Sequence, residues 1–375
     1  MLIKGGRIID PSLGIECVSD VVIDNGLIVD PGNEAVEAKT VIDAADYIVT
    51  PGLIDFHLHI SHRTSSISIN PDVYLMSNGV TSANDGGSTG TICAEGFILD
   101  VAHRSPLTIK NWINILPLGI PNHNLPPDEV TLSGQEYREI KYLLDRYPGD
   151  ILGIKLWSLL GGRSLENGLE LAEQLGQRLC VHACSNIREY DEVLSLLRKN
   201  DIISHFYQDR GSNILDANDK VKKSAWVAKE RGVIFDTANG KGNYTYDLAK
   251  KAIEQGFYPD VISSDCTIGL TAWTKFSFAL PYVMTGYYSL GMSMNEVIRA
   301  VTETPASLMG MEGKIGTLKP GAFADVTITK IDHTPHKIYD ARNSAPVESR
   351  GMFIPQVTIK NGIIAYQRME FLFLR

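Results

Sequence analysis

No stretch of the sequence strings together the ~20 apolar residues that a membrane-spanning helix requires. The opening MLIKGGRIIDPSLG likewise lacks the long apolar core of a secretory leader. Cysteine is scarce: there are five, Cys17, Cys93, Cys180, Cys184 and Cys266, odd in number and scattered. That argues against a disulfide framework, and Cys180 and Cys184 have no companion pair at zinc-site spacing. Reduced thiols and a cytoplasmic protein are the expectation. Positive charge is short as well, with 35 Lys and Arg against 44 Asp and Glu and a formal net charge of -9. No basic stripe appears, so neither nucleic acid nor a membrane is expected as a partner. No low-complexity tract and no repeat shorter than a strand–helix unit breaks the chain.

What is present suits a large globular protein. Of the 375 residues, 44% are apolar and 21% charged, enough for a sizeable core. The length exceeds one small domain and suits a large barrel with an accessory domain. The first fifty residues read as short strands, MLIKGGRII, CVSDVVIDNGLIV and KTVIDAADYIVT, punctuated by Asn-Gly and Pro-Gly turns. The tail repeats the habit in DVTITKI and FIPQVTIKNGIIAY. Chain ends tend to lie close, so both are expected to pack as one small β-sandwich, residues 1–49 with 314–375.

Between them, over 50–313, short apolar runs alternate with helix-like stretches. The runs are YIVTPGLIDFHLHI, NGVTSANDGG, IKNWINILPLG, ILGIKLWS, RLCVHACS, DIISHFYQ, GVIFDTANG and DVISSDCT. About eight strands alternating with helices is the α/β pattern of a (β/α)8 TIM barrel, whose chemistry sits at the C-terminal ends of its strands. There the chain places a series of ionisable residues. The first run ends in DFHLHI, where His57 and His59, two apart on a strand, share a face. Two imidazoles on one face make a pair of metal ligands, although histidines satisfied by local hydrogen bonds give the same pattern. The fourth run carries Lys155, the fifth His182, the sixth His205, and the eighth ends in Asp265. Singly these read as a snorkelling lysine, core histidines and a helix cap. Jointly, at successive strand ends, they point to a common centre.

This set of HxH, Lys, His, His and Asp resembles the amidohydrolase superfamily, and within it the two-metal members with a carboxylated lysine, dihydroorotases and related amide or ester hydrolases. The segment GTLKPGAFADVTI matches as well, and NGVTSANDGGS, IISHFYQ and PDVISSDCT resemble a deacetylase-like subgroup. The resemblance implies two divalent metal ions. His57, His59 and Asp265 hold one, His182 and His205 the other, and carboxylated Lys155 bridges both. A protonated lysine would repel the cations; its neutral amine takes up carbon dioxide to give an anion with an oxygen for each metal. Nitrogen and oxygen ligation suits Zn(II) best. The implied reaction is hydrolysis of an amide, cyclic amide or ester of a small molecule. The metals supply an activated water and a polarised carbonyl, and catalytic Asp265 carries the proton.

The likeness departs in its substrate contacts. Dihydroorotases carry an arginine where this chain has Ser61; Arg63 beyond it is a candidate for an anionic substrate group, or a solvated loop charge. Deacetylase-like members show His-Gly where Asn239-Gly240 stands, and a histidine where Cys266-Thr267 follows Asp265. Asn239 offers two donors and an acceptor to a substrate. Tyr207, beside His205, offers a stacking ring, or core packing. Relatives are often dimers or larger, which makes a homo-oligomer an expectation. Two other readings stay open. One is a mononuclear-metal deaminase of a heterocycle, which normally lacks the strand-four lysine. The other is a non-catalytic homologue, which usually loses ligands that this chain keeps.

Overall fold

A computed structural model of the chain describes residues 1–375 except 31, 33–36, 121–131, 158–161, 185–187, 273–277, 341, 343–344, 372 and 375. Its centre is a curled seven-stranded sheet in a mixed α/β fold. The strands are Leu53–Leu58, Val80–Asp85, Thr108–Asn114, Ile151–Leu156, Leu179–His182, Ile202–Ser204 and Ile234–Asp236. They stand side by side in chain order, and each pairs in parallel with the next. These are the first seven of the eight expected runs. Parallel strands need crossovers, and helices supply them. Pro71–Met76, Ala94–Phe97, Gln135–Arg146, Ser164–Gln174, Tyr190–Leu196 and Lys223–Arg231 connect successive strands. The first, second and fourth strands are buried at every position, as sheets covered on both faces require.

The expected eighth run forms no ladder, yet it lies between the two edges of the sheet. Thr237 N–H donates to Val261 O at 3.0 Å, and Asn239 N–H to Ser263 O at 3.1 Å. On the other side Asp265 N–H donates to His57 O at 2.6 Å, and His59 N–H to Cys266 O at 3.0 Å. This segment thus ties the seventh strand to the first and carries Asp265 toward the histidines.

The terminal segments share one nine-stranded sheet. Its N-terminal strands are Leu2–Asp10, Ile15–Asp24, Leu27–Val29, Val41–Asp43 and Ile48–Pro51; its C-terminal ones are Val326–Asp332, Met352–Lys360, Ile363–Gln367 and Phe373–Leu374. The run YIVTPGLIDFHLHI is therefore divided. Ile48–Pro51 pairs in parallel with the first strand of this sheet and antiparallel with Val326–Asp332, while Leu53–Leu58 opens the parallel sheet. Ile3, Ile8, Val21, Ile42, Val49, Val326, Ile328, Val357 and Ile359 belong to its apolar core. Both Asn-Gly turns have positive φ at both residues, the geometry of a tight two-residue hairpin. They also abut: a Cβ at Gly26 would stand 3.1 Å from Asn361 O, and one at Gly362 3.1 Å from Gly26 Cα. A hydrogen bond joins the two sheets: Lys360 Nζ, in a buried ion pair with Asp325 at 2.7 Å, also donates to Thr108 Oγ1 at 2.8 Å. Among the described residues no helix is long and apolar enough to cross a membrane.

Candidate metal centre

The C-terminal ends of the strands bring His57, His59, Lys155, His182, His205 and Asp265 to one buried place. Ring centroids lie 6.0 Å apart for His57 and His59, 5.4 Å for His57 and His205, and 4.3 Å for His182 and His205. Lys155 Nζ stands 3.3 Å from His57 Nε2, and His59 Nε2 is 3.1 Å from Asp265 Oδ1. One ligand atom from each of His57, His59 and Asp265 lies within 4.8 Å of the others. The two histidines converge although the register of the first strand shifts between Asp55 and Leu58.

Supporting hydrogen bonds decide which ring nitrogen faces the centre. His57 Nδ1 donates to Asp236 Oδ2 at 2.9 Å. Ser88 Oγ donates to Asp85 Oδ2 at 2.8 Å, so it accepts from His59 Nδ1, also at 2.8 Å. His205 Nδ1 donates to Ala238 O at 2.5 Å. Three Nδ1 atoms thus carry the protons, which leaves three Nε2 lone pairs for a cation, the arrangement that ligating histidines show. Asp85 also accepts from the N–H groups of Ile60, Gly87 and Ser88, which holds the loop that presents Ser88. Asp55 accepts from Ser264 N–H and Oγ at 3.0 and 2.5 Å and steadies the segment that carries Asp265.

Burial, then charge, disfavours protonation of three of the imidazoles. Burial, and then the nearby Lys155 charge, hold His57 and His182 well below the usual histidine range. His205 is depressed by burial and then by His182. Burial pushes Asp236 up to about 6 and Asp55 up to about 7. Strain gathers here too: His205, Ala238 and Asp265 all have left-handed backbone, φ 65°, 39° and 47°. Such geometry costs ~1–3 kcal/mol per residue and clusters at functional sites.

Two features fit a bound cation and a modified lysine. His182 Nδ1 is buried without a hydrogen-bond partner among the described residues, a ligand atom still to be satisfied. Lys155 is fully buried, and among the described residues its amine has His57 Nε2 at 3.3 Å and Cys180 Sγ at 3.5 Å as neighbours of hydrogen-bonding type. Among the described residues no carboxylate lies within ion-pair distance of it. Burying an ammonium without an ion-pair partner costs several kcal/mol.

The expected substrate contacts fare differently. Arg63 is exposed in the turn after the first strand. Asn239 is buried; its Oδ1 accepts from Tyr287 OH at 2.9 Å, and its Nδ2 has no hydrogen bond of standard geometry among the described residues. Tyr207 belongs to the core, with its ring 4.0 Å from that of Phe206 and its hydroxyl donating to Phe257 O at 2.9 Å. Core packing takes up the ring that was a candidate for stacking on a substrate. Sequence reasoning missed Asp236 and Ser88. Asp236 ends the run GVIFD, the same strand-end signal that marked the candidate ligands. Ser88 follows two glycines and had no such signal.

Residues 164–364 match the model of the amidohydrolase family. A deacetylase of Enterococcus faecalis is 30% identical over 326 residues, 84% of this chain and 86% of the relative. The crystal structure of an adenine deaminase superposes with a TM-score of 0.86 at 26% identity, covering 98% of this chain and 99% of that one. That of a dihydroorotase gives 0.83 at 24%, covering 97% and 98%.

Proposed function

Because the chain belongs to the amidohydrolase family and is a hydrolytic enzyme acting on C–N bonds, we propose that it removes an acyl group, acetyl first among those to test, from the nitrogen of a small molecule. Cyclic amides and esters are the related substrates. His57, His59 and Asp265 would hold one divalent cation, His182 and His205 a second, and carboxylated Lys155 both, with Zn(II) the foremost candidate. Such a pair supplies Lewis acidity to the carbonyl and lowers the pKa of water. Asp265 takes the proton of the attacking water and delivers it to the leaving nitrogen as the C–N bond breaks, so one water yields a carboxylic acid and an amine. Asp236 and Ser88 hold His57 and His59 with their Nε2 lone pairs toward the centre. We also read the parallel sheet and the segment after it as a (β/α)8 barrel over 50–313, with 1–49 and 314–375 as its β-sandwich.

Lys155 carries this reading: a fully buried amine, 3.3 Å from an imidazole nitrogen and with no carboxylate within ion-pair distance among the described residues, suits a carbamate between cations. The test is elemental analysis of protein purified in bicarbonate without chelators, beside Lys155→Ala. About two metals per chain are expected, falling in the variant, with release of acid and amine from acylated amines. One metal, unchanged by the substitution, overturns it. That outcome favours a second reading, a mononuclear deaminase, which the likeness to an adenine deaminase supports and which ammonia release from heterocycles would identify.

A further inference from the structure

Arg210 stands on the loop after the sixth strand, beyond His205. The loop is braced from within: Gln208 Oε1 accepts from Arg210 N–H at 2.6 Å, and Gln208 Nε2 donates to Ser212 O at 2.9 Å. The exposed side chain reaches across to the turn that follows the seventh strand, where a Cβ on Gly242 would lie 2.9 Å from Arg210 Nη2. That same turn covers the proposed proton carrier. A Cβ on Gly240 would lie 2.0 Å from Asp265 Oδ2, and Asn243 Nδ2 donates to that oxygen at 3.3 Å.

The charges around it are uneven. Asp209, next to Arg210 in the chain, is taken by Arg342. Arg210 has no carboxylate within ion-pair distance among the described residues. Lys241, on the turn between Gly240 and Gly242, is exposed as well. A chain of net charge -9 thus sets two cations, neither with an ion-pair partner among the described residues, at the turn over Asp265. A guanidinium is a planar fork of donors that matches a carboxylate bidentately, which a water-facing structural arginine does not require.

We infer that Arg210 receives a carboxylate carried by the substrate near the scissile bond, so that the substrates are N-acyl amino acids and like carboxylate-bearing amides. This rests on the hydrolase reading above. Arg63, on the opposite side of the chain order, is not needed for it.

The test is calorimetric titration of N-acetyl amino acids of both hands, each beside its neutral carboxamide, into metal-loaded wild type, Arg210→Gln and Arg210→Lys. In the wild type at least one acid should bind about tenfold or more tightly than its carboxamide. The ratio should fall below about twofold in Arg210→Gln and lie between in Arg210→Lys, at unchanged metal content. A ratio that survives in Arg210→Gln places the carboxylate on the metals and overturns the inference. So does a wild type that binds no member of the panel, or binds acids and carboxamides alike. Failure of the hydrolase reading looks different: discrimination persists and depends on Arg210, but bound members release no amine.

Discussion

Adding one methyl group at Gly86 tests the proposed centre more sharply than deleting a ligand does. Gly86 follows the second strand, and its N–H donates to Leu58 O at 2.7 Å, so its backbone cannot slide away cheaply. A Cβ there would stand 2.4 Å from His57 Cδ2 and 2.6 Å from His57 Nε2, where ordinary contact begins near 3.4 Å. The ring must retreat by about 1 Å. Behind it, Asp236 holds Nδ1 at 2.9 Å and Ser204 Oγ lies at 3.2 Å. Retreat means straining or losing a hydrogen bond to a carboxylate, ~1.5–3 kcal/mol, on top of overpacking at ~1–3 kcal/mol. The total, ~2.5–6 kcal/mol, lies below most of the ~5–15 kcal/mol range that stabilises typical folds, so Gly86→Ala should fold, with a lowered thermal midpoint. A ligand displaced by ~1 Å should cost about 10²-fold in kcat/KM, and metal occupancy should fall with it. Gly96→Ala is the control: nothing lies within 4 Å of its Cβ, and alanine favours its helix by up to ~1 kcal/mol. Metal content, kcat/KM on a substrate from the acylated-amine screen and thermal unfolding are measured on both. Full occupancy and full activity in Gly86→Ala would show that His57 is not held where the geometry puts it, and would refute the reasoning.

Two further expectations follow from the partners of the histidines. Ser88→Ala removes the acceptor of His59 Nδ1–H and should weaken metal binding ~10–100-fold, with Ser88→Thr recovering most of it; competition against a chelator measures this, and equal affinity in all three proteins would count against the support assigned to Ser88. Chelated protein should lose stability in acid. The unfolded chain protonates His57, His182 and His205 near pH 6.5, whereas the folded chain resists, so their contribution is full above that pH and drops by up to ~1.4 kcal/mol per unit per imidazole below it. Asp55 and Asp236 act oppositely, because carboxyls raised to about 7 and about 6 favour the folded state as they protonate. Three groups against two leave a net fall of up to ~1.4 kcal/mol per unit below pH 6. Urea unfolding at pH 7.5 and 5 checks the sign, and a gain in acid would contradict it.

Most of the candidate ligand set was legible because each member follows an apolar run. His57, His182 and Lys155 lie within or at the end of strands that the sequence marks by burial on both faces, and His205 and Asp265 come just after. The Asn-Gly turns were legible for the same local reason. The division of YIVTPGLIDFHLHI between two sheets was not, since Ile48–Pro51 and Leu53–Leu58 read as one apolar run and differ only in which distant strands accept them. Tyr207 carried an ambiguous signal, as a ring beside a ligand serves a substrate or the core equally well until its neighbours are known.

The sequence by itself determined the order of candidate ligands, the strand–helix rhythm that presents them and the residue types able to bind a cation. All of these depend on spacing of a few residues, which strand and helix periods make readable. Tertiary structure alone settles which nitrogen of His57, His59 and His205 faces the centre, that the buried Lys155 has no carboxylate within ion-pair distance among the described residues, and that Arg210 reaches the turn over Asp265. The physical reason is separation along the chain: His57 finds Asp236 179 residues away and Asp55 finds Ser264 209 away, contacts that no local period encodes and only the closing of the sheet creates.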